Sequence, residues 1–256
     1  DELLVKSHSR YNHFFNQSFS ISQWHKIFKS QKNRKIYCDV FGLKALGLAV
    51  KHKVFGVKIH SSDLENLELI KKIPRRMKVL LSCGGSNLFD ISNAIKILNN
   101  KGIKPVLMHG FQAYPTKIGD INLNRFKLLK NQFKNNVEIG FQDHTSGSDK
   151  INFYLPVLAI GMGATFIEKH ITFNRARKKV DYYSSIEPKK LEEFVKIIRS
   201  LEKSFILKES FFSPSEKNYS YTTTKNWVAK KNIEKGQKLS LSNLSLKRID
   251  QTESFN

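Results

Sequence analysis

Cysteine is scarce: the 256 residues hold only Cys38 and Cys83. Neither belongs to a CxxC pair or a zinc-ligand spacing, which excludes a disulfide framework and a structural zinc module. Two buried thiols in a reduced cytoplasmic protein are the expectation. Long apolar runs are also lacking. The longest uncharged one, Tyr154 to Ile167, is broken by Pro156, Gly161 and Gly163. It falls short of the roughly 20 residues that a membrane helix needs, so no membrane partner is expected. Acidic residues are few, 22 against 44 basic ones, for a net charge of +22. Such an excess suits nucleic acid, a membrane surface or an anionic substrate. The basic residues are mostly lysine and spread along the whole chain, and the runs Lys71–Lys78 and Arg175–Lys179 are short. A solvated basic surface without nucleic acid is therefore expected. The chain opens at Asp1 without methionine or a signal-peptide pattern, and the expectation is that it begins after a missing segment.

Apolar residues make up 40% of the chain and charged residues 26%. These are globular proportions, not those of a disordered, collagenous or coiled-coil chain. Short β-branched runs at 36–40, 54–59, 78–82, 105–109, 137–141 and 164–169 read as strands. Helical stripes separate them: Leu64, Leu67 and Ile70, closed by Pro74; then Leu88, Ile91, Ile95 and Leu98, with Asn87 and Asp90 as a capping pair and Gly102 as the stop. Leu123, Phe126, Leu129 and Phe133 form a third stripe. Leu191, Phe194, Val195, Ile198 and Leu201, entered through Pro188, form a fourth. Residues at such spacing are expected in the core.

Strand–helix alternation implies a parallel sheet in an α/β fold. About six βα units are visible, against the eight of a closed barrel. Either the sheet is open and doubly wound, or two units precede Asp1. From Lys208 to Lys225 the sequence is rich in Ser, Thr, Lys and Tyr without periodicity, which reads as a linker. Trp227 to Arg248 then reads as a compact β-type module, with Gly236 in a turn and Asn243 before a short strand. Its end at Asp250–Asn256 is abrupt. The expected domains are a partial barrel at 1–204, a linker at 205–225 and a partial β module at 226–256.

In parallel α/β barrels the reacting groups sit at the C-terminal ends of the strands. Those ends carry Lys58 and Ser61, Ser82, His109, Gln112 and Tyr114, Asp143 and His144, and Glu168 and His170. A single histidine at a strand end has an ordinary structural explanation; a whole set converging on one rim weakens it. Glu168 and His170, two apart, point the same way on a strand. His144 comes from the preceding strand end, about 5 Å away. Two imidazoles so placed suit one divalent ion with open positions for substrate oxygens. Mn²⁺ fits that donor set, with Zn²⁺ and Fe²⁺ left open. Lys58, in an otherwise apolar strand, calls for an anion or an altered pKa, and Ser61 and Ser82 would add hydroxyl donors.

Tyr114-Pro115-Thr116, Asp143-His144-Thr145, Ile167-Glu168-Lys169-His170, and Asp181 and Ser185 before Glu187-Pro188 resemble the sialic acid synthase family. That family includes N-acetylneuraminate, legionaminic and pseudaminic acid synthases. Lys58-Ile59-x-Ser61 and Ser82 before a glycine pair fit it, and Val228-Ala229 through Lys247-Arg248 resembles its antifreeze-like SAF domain. The resemblance implies a (β/α)8 TIM barrel, here N-terminally truncated, followed by a C-terminally truncated SAF domain. It implies condensation of phosphoenolpyruvate with an N-acylated mannosamine-like sugar aldehyde, giving a nine-carbon 2-keto acid and phosphate by C–O cleavage. By the same resemblance His144 and His170 hold the metal, Mn²⁺ first and Mg²⁺ or Co²⁺ as substitutes. Glu168 and Lys58 are active-site residues. Lys58, Ser61 and Ser82 grip phosphoenolpyruvate; Gln112 stands at an amide position, and Tyr114 and Asp181 contact the sugar. Arg248 serves the partner barrel in a domain-swapped homodimer.

Departures from the family pattern are Asp39 for a hydroxyl residue, Gln112 for Asn, Cys83 for Thr, Lys179-Val180 for Gly-Pro and Tyr182 for His. The family's earlier metal-site glutamate and phosphate-binding lysine have no counterpart here. The metal pair is intact, so a subgroup with a different sugar is expected. The alternatives are a KDO-8-phosphate or DAHP type of synthase, an inactive homologue, and a basic nucleic-acid-binding protein.

Overall fold

The structure, a computed structural model, describes residues 5–31, 33–205 and 212–249. The Asp1 start and the Asp250–Asn256 end lie outside the described residues. The chain divides into two units, 1–198 and 199–256. The first begins with α1 (Tyr11–Phe15) and α2 (Ile21–Ser30), the latter opened by a capping box between Ser20 and Gln23. Six strands follow, β1 (Tyr37–Asp39), β2 (Gly56–Ile59), β3 (Lys78–Ser82), β4 (Val106–His109), β5 (Glu138–Asp143) and β6 (Phe166–Lys169). The helices between and after them are α3 (Leu43–Lys51), α4 (Leu67–Lys72), α5 (Leu88–Asn100), α6 (Leu123–Phe133), α7 (Ile151–Gly161) and α8 (Pro188–Glu202). All six strands are parallel and lie in sequential order.

Strand period two sorts the side chains. On the helix side, Val57, Ile59, Val79, Leu81, Leu107, Ile139 and Phe141 join the helix residues in one apolar core. Ile91, Leu98, Phe126 and Leu129 are buried there, each worth roughly 1.5–3 kcal/mol of burial. On the other side, Leu80, Val106 and Met108 pack with Tyr37 and Phe166. That space is tight: a Cβ at Gly140 would collide with the Met108 sulfur. Toward the strand C-termini the same face turns polar.

The sheet is curled into a half-barrel. Neighbouring strands lie about 4.8 Å apart, so four steps across a flat sheet would separate β2 and β6 by roughly 19 Å. The Lys58 Nζ of β2 instead donates to Glu168 Oε1 of β6 at 2.9 Å. Only a sheet bent around its polar face brings them together.

Some helical-stripe residues are not core. Leu88 is 56% exposed in the first turn of α5, and Val195 and Leu201 of α8 also face solvent. Helical spacing marks a face, but the ends of the stripe reach past the sheet. Cys38 is only half-buried, unlike Cys83. No helix among the described residues is long and apolar enough to cross a membrane.

The second unit holds α9 (Pro214–Thr223) and an antiparallel pair, β7 (Asn226–Ala229) and β8 (Leu244–Lys247). The segment read as a structureless linker is therefore helical over most of its described part. Ser213 and Glu216 form a capping box and Pro214 occupies the first turn, signals that outweigh the missing apolar stripe. Gly236 has φ +87° in the β7–β8 connection, and buried Asn243 holds that turn through Ser240 N–H and Lys238 C=O.

Candidate active site

The polar layer at the strand ends is built by alternation. Asp39, Lys58, Ser82, Gln142 and Glu168 each sit two residues beyond an inward-facing Tyr37, Gly56, Leu80, Gly140 or Phe166. Buried Lys58 stands between two carboxylates, Glu168 at 2.9 Å and Asp39 at 3.5 Å. Ser82 Oγ donates to Gln142 Oε1 at 2.9 Å, and the Gln142 amide donates to the carbonyls of Met108 and Gly110. Gln142 was not singled out from sequence, although its position two residues before His144 gives it the same inward parity.

His144 and His170 follow β5 and β6. With Glu168 they form a set whose ligand atoms all lie within 4.8 Å of one another. The imidazole centroids are 4.9 Å apart, and Tyr114 meets both edge-on at 5.4 and 5.5 Å. The His144 backbone is pinned, its carbonyl accepting from Thr116 N–H and Ser184 Oγ. Its ring is buried, yet neither nitrogen has a hydrogen-bond partner among the described residues. Unpartnered buried nitrogens are costly unless something else meets them. Two neutral imidazoles and a carboxylate are a donor set for a divalent first-row metal, so the residues present fit such an ion. Burial, with His170 and Lys58 adding, pulls His144 down to about 3. Burial also lowers His170, opposed by Asp181 and Glu168. Both rings are thus held in the neutral, ligating form.

Asp181 lies with its Oδ2 3.6 Å from His170 Nδ1, on a residue with φ +57°. Burial first, then Asp181 and Glu168, raise the Tyr114 hydroxyl well above its ordinary pKa. Loss of hydration raises Asp39, against the pull of Lys58 and His60.

Not every polar strand end faces the mouth. His109 points to the helix side, donating from Nε2 to Ile121 C=O and packing against Phe126 and Phe141. Asp143 also faces outward, to Lys169 at 2.6 Å. Odd and even positions of one strand cannot share a face, and His109 and Asp143 fall on the wrong parity. Gln112 is exposed in the loop after β4, without a hydrogen bond among the described residues. Ser61 opens a short 3₁₀ turn at the rim. Arg248 is exposed after β8, in the second unit.

Residues 2–208 match the NeuB family. The chain belongs to the NeuB family. An uncharacterised protein of Methanocaldococcus jannaschii is 34% identical over 245 residues, 89% of this chain and 71% of the relative. The N,N'-diacetyllegionaminic acid synthase of Campylobacter jejuni is also 34% identical, over 210 residues, 80% of this chain and 59% of that enzyme. The chain thus spans about three fifths of that synthase. Among solved structures, the N-acetylneuraminic acid (sialic acid) synthetase of Leptospira borgpetersenii, in complex with citrate, superposes with a TM-score of 0.75 at 25% identity. The match covers 86% of this chain and 77% of that one.

Proposed function

We propose that this NeuB-family chain carries most of the synthase barrel of a nonulosonic acid synthase. The reaction joins C3 of phosphoenolpyruvate to the aldehyde carbon of an N-acylated mannosamine-like sugar. Water supplies the new C2 oxygen, the C2–O bond to phosphate breaks, and a nine-carbon 2-keto acid and phosphate leave. The observation that carries this reading is the polar layer of Lys58, Ser82 and Glu168 beneath the His144–His170 pair, within one curled sheet. The fold is read as a (β/α)8 barrel, with residues 226–256 as part of a SAF domain. A domain-swapped homodimer in which Arg248 reaches the partner's site, and a cytoplasmic setting, belong to the same proposal.

Lys58 supplies the fixed positive charge for the phosphate or carboxylate of phosphoenolpyruvate, and Ser61 adds a hydroxyl at the rim. Ser82 is held by Gln142, so its oxygen has a set position. His144, His170 and Glu168 would hold the divalent ion, Mn²⁺ by preference. When bound, that ion supplies Lewis-acid polarisation of the aldehyde oxygen. Tyr114 packs edge-on against both imidazoles, where it would contact the sugar. Asp181, beside His170, is placed to accept from a sugar hydroxyl.

Phosphate release from phosphoenolpyruvate by the whole protein tests this, with N-acetylmannosamine or the di-acetamido sugar of legionaminic acid, with Mn²⁺ or with EDTA. Release that requires both sugar and metal is expected. If no aldehyde drives release in a panel that includes both sugars, the synthase reading fails and the inactive-homologue reading replaces it.

A further inference from the structure

The mouth of the half-barrel is short of donors for an anion. Lys58 is its one lysine among the inward-facing β1–β6 residues at the strand C-termini, and two carboxylates already share it. Ser82 is committed to Gln142. The next residue on the Lys58 face of β2 is His60. The β1–β2 register pairs Asp39 with Lys58, so Phe41 falls beside His60, and the two rings lie 5.5 Å apart. The β2–β3 register, continued by one step, sets His60 beside Ser82.

The ring is also fixed in orientation. Nδ1 accepts from the Ser62 backbone N–H at 3.2 Å and lies 2.9 Å from the Ser62 hydroxyl. An Nδ1 that accepts a backbone N–H leaves the proton of the neutral ring on Nε2. That Nε2–H has no hydrogen-bond partner among the described residues, at a half-buried position on the rim. Capping the 3₁₀ turn needs only Nδ1, and an asparagine would cap it as well. The imidazole adds a donor that the cap does not use.

We propose that His60 is a substrate-binding residue, its Nε2–H donating to the same oxyanion of an enol-phosphate substrate that Lys58 holds. The inference rests on the synthase reading and adds to Lys58 and Ser61 a further donor, positioned by Ser62 and Phe41.

Two substitutions separate the roles of the two ring nitrogens. In His60→Asn, Oδ1 stands where Nδ1 was and keeps the cap, while the outer donor is lost. In His60→Gln, the amide reaches the position of Nε2 while the cap is lost. Calorimetric titration of phosphoenolpyruvate into the whole protein, without sugar, reads binding; thermal unfolding reads the cap. The expected result is an about tenfold weaker Kd in His60→Asn with Tm unchanged, the loss of one hydrogen bond to a charged group. His60→Gln should recover much of that affinity with a lower Tm. Inorganic phosphate as a second probe should show the same order if the shared oxyanion is the phosphate, and no difference if it is the carboxylate. Wild-type affinity for phosphoenolpyruvate in His60→Asn would overturn the proposal and leave the synthase reading standing. Failure of the wild-type protein to bind phosphoenolpyruvate would overturn both.

Discussion

The Lys169 ammonium lies 2.6 Å from the Asp143 carboxylate, and the residues that follow the two in sequence are His170 and His144. The ion pair sits on the helix side of the sheet, with the two side chains 4% and 0% exposed. Lys169 also donates to the carbonyl and side chain of Asn152, and Asp143 accepts from the N–H and hydroxyl of Thr145. The pair ties the ends of β5 and β6 together where the imidazoles emerge. Lys169→Met leaves a buried carboxylate without its cation, and about 3–5 kcal/mol of stability should be lost in urea unfolding. A loss below about 1 kcal/mol would mean that the tie is dispensable.

Removing one imidazole should cost metal affinity more than removing any neighbour. His170→Ala and His144→Ala are each expected to weaken Mn²⁺ binding by more than roughly a hundredfold, the upper range for losing an outer partner. Titration of free Mn²⁺ by electron paramagnetic resonance measures this without turnover. Wild-type Mn²⁺ binding in His170→Ala would remove the metal assignment.

The pH dependence of that binding follows from burial. An imidazole near its ordinary pKa of about 6.5 gives up metal to protons below that pH. Here both rings are shifted downward, His144 to about 3. A lowered pKa keeps the neutral form through mild acid, so proton competition is displaced to lower pH. Mn²⁺ affinity should stay nearly level from pH 8 to pH 6. A tenfold fall across that interval would contradict the neutral pair.

Lys58 and Asp39 should act in opposite directions on an anionic ligand. Lys58→Ala is expected to raise the phosphoenolpyruvate KM, since the fixed charge is gone. Asp39→Asn should tighten phosphoenolpyruvate binding about two- to fivefold, the modest size reflecting the partial exposure of the Asp39–Lys58 contact. Steady-state kinetics on both variants decide it; weaker binding in Asp39→Asn would mean that the carboxylate aids the substrate.

Both thiols should be slow. Burial first, and then the Asp39 charge, push Cys38 up to about 11, while burial pushes Cys83 up to about 12. The thiolate is the reactive form. Ellman's reagent at pH 8 should therefore titrate neither quickly in the native protein and both in denaturant. Rapid native labelling of Cys38 would show that its edge of the sheet is open to reagent.

Most of the sheet was legible because buried parallel strands write dense β-branched runs, and all six appear where such runs stand. The placing of Glu168 and His170 on one face was legible from strand alternation. The same parity rule, applied to β4 and β5, would have moved His109 and Asp143 out of the mouth and brought Gln142 in. Gln112 is different: it lies in a loop, where no periodicity tells which way a side chain points. The helix at Pro214–Thr223 was hidden because it lacks an apolar stripe; its only signal was local, the Ser213–Glu216 cap. His60 was passed over because a motif read as Lys-Ile-x-Ser treats its third position as blank.

The alternation along β5 and β6 sets the terms on which this half-barrel can diverge. One set of letters, Ile139 and Phe141 among them, is spoken to the helices; the interleaved set, Gln142 and Glu168, is spoken to the polar mouth. A substitution edits one vocabulary and leaves the other intact. A single inserted or deleted residue inside a strand would swap the two, burying the reagents and wetting the core. On the proposed reading, new ligand preferences should therefore arise by point replacement on the strands, and changes of length should be confined to the loops.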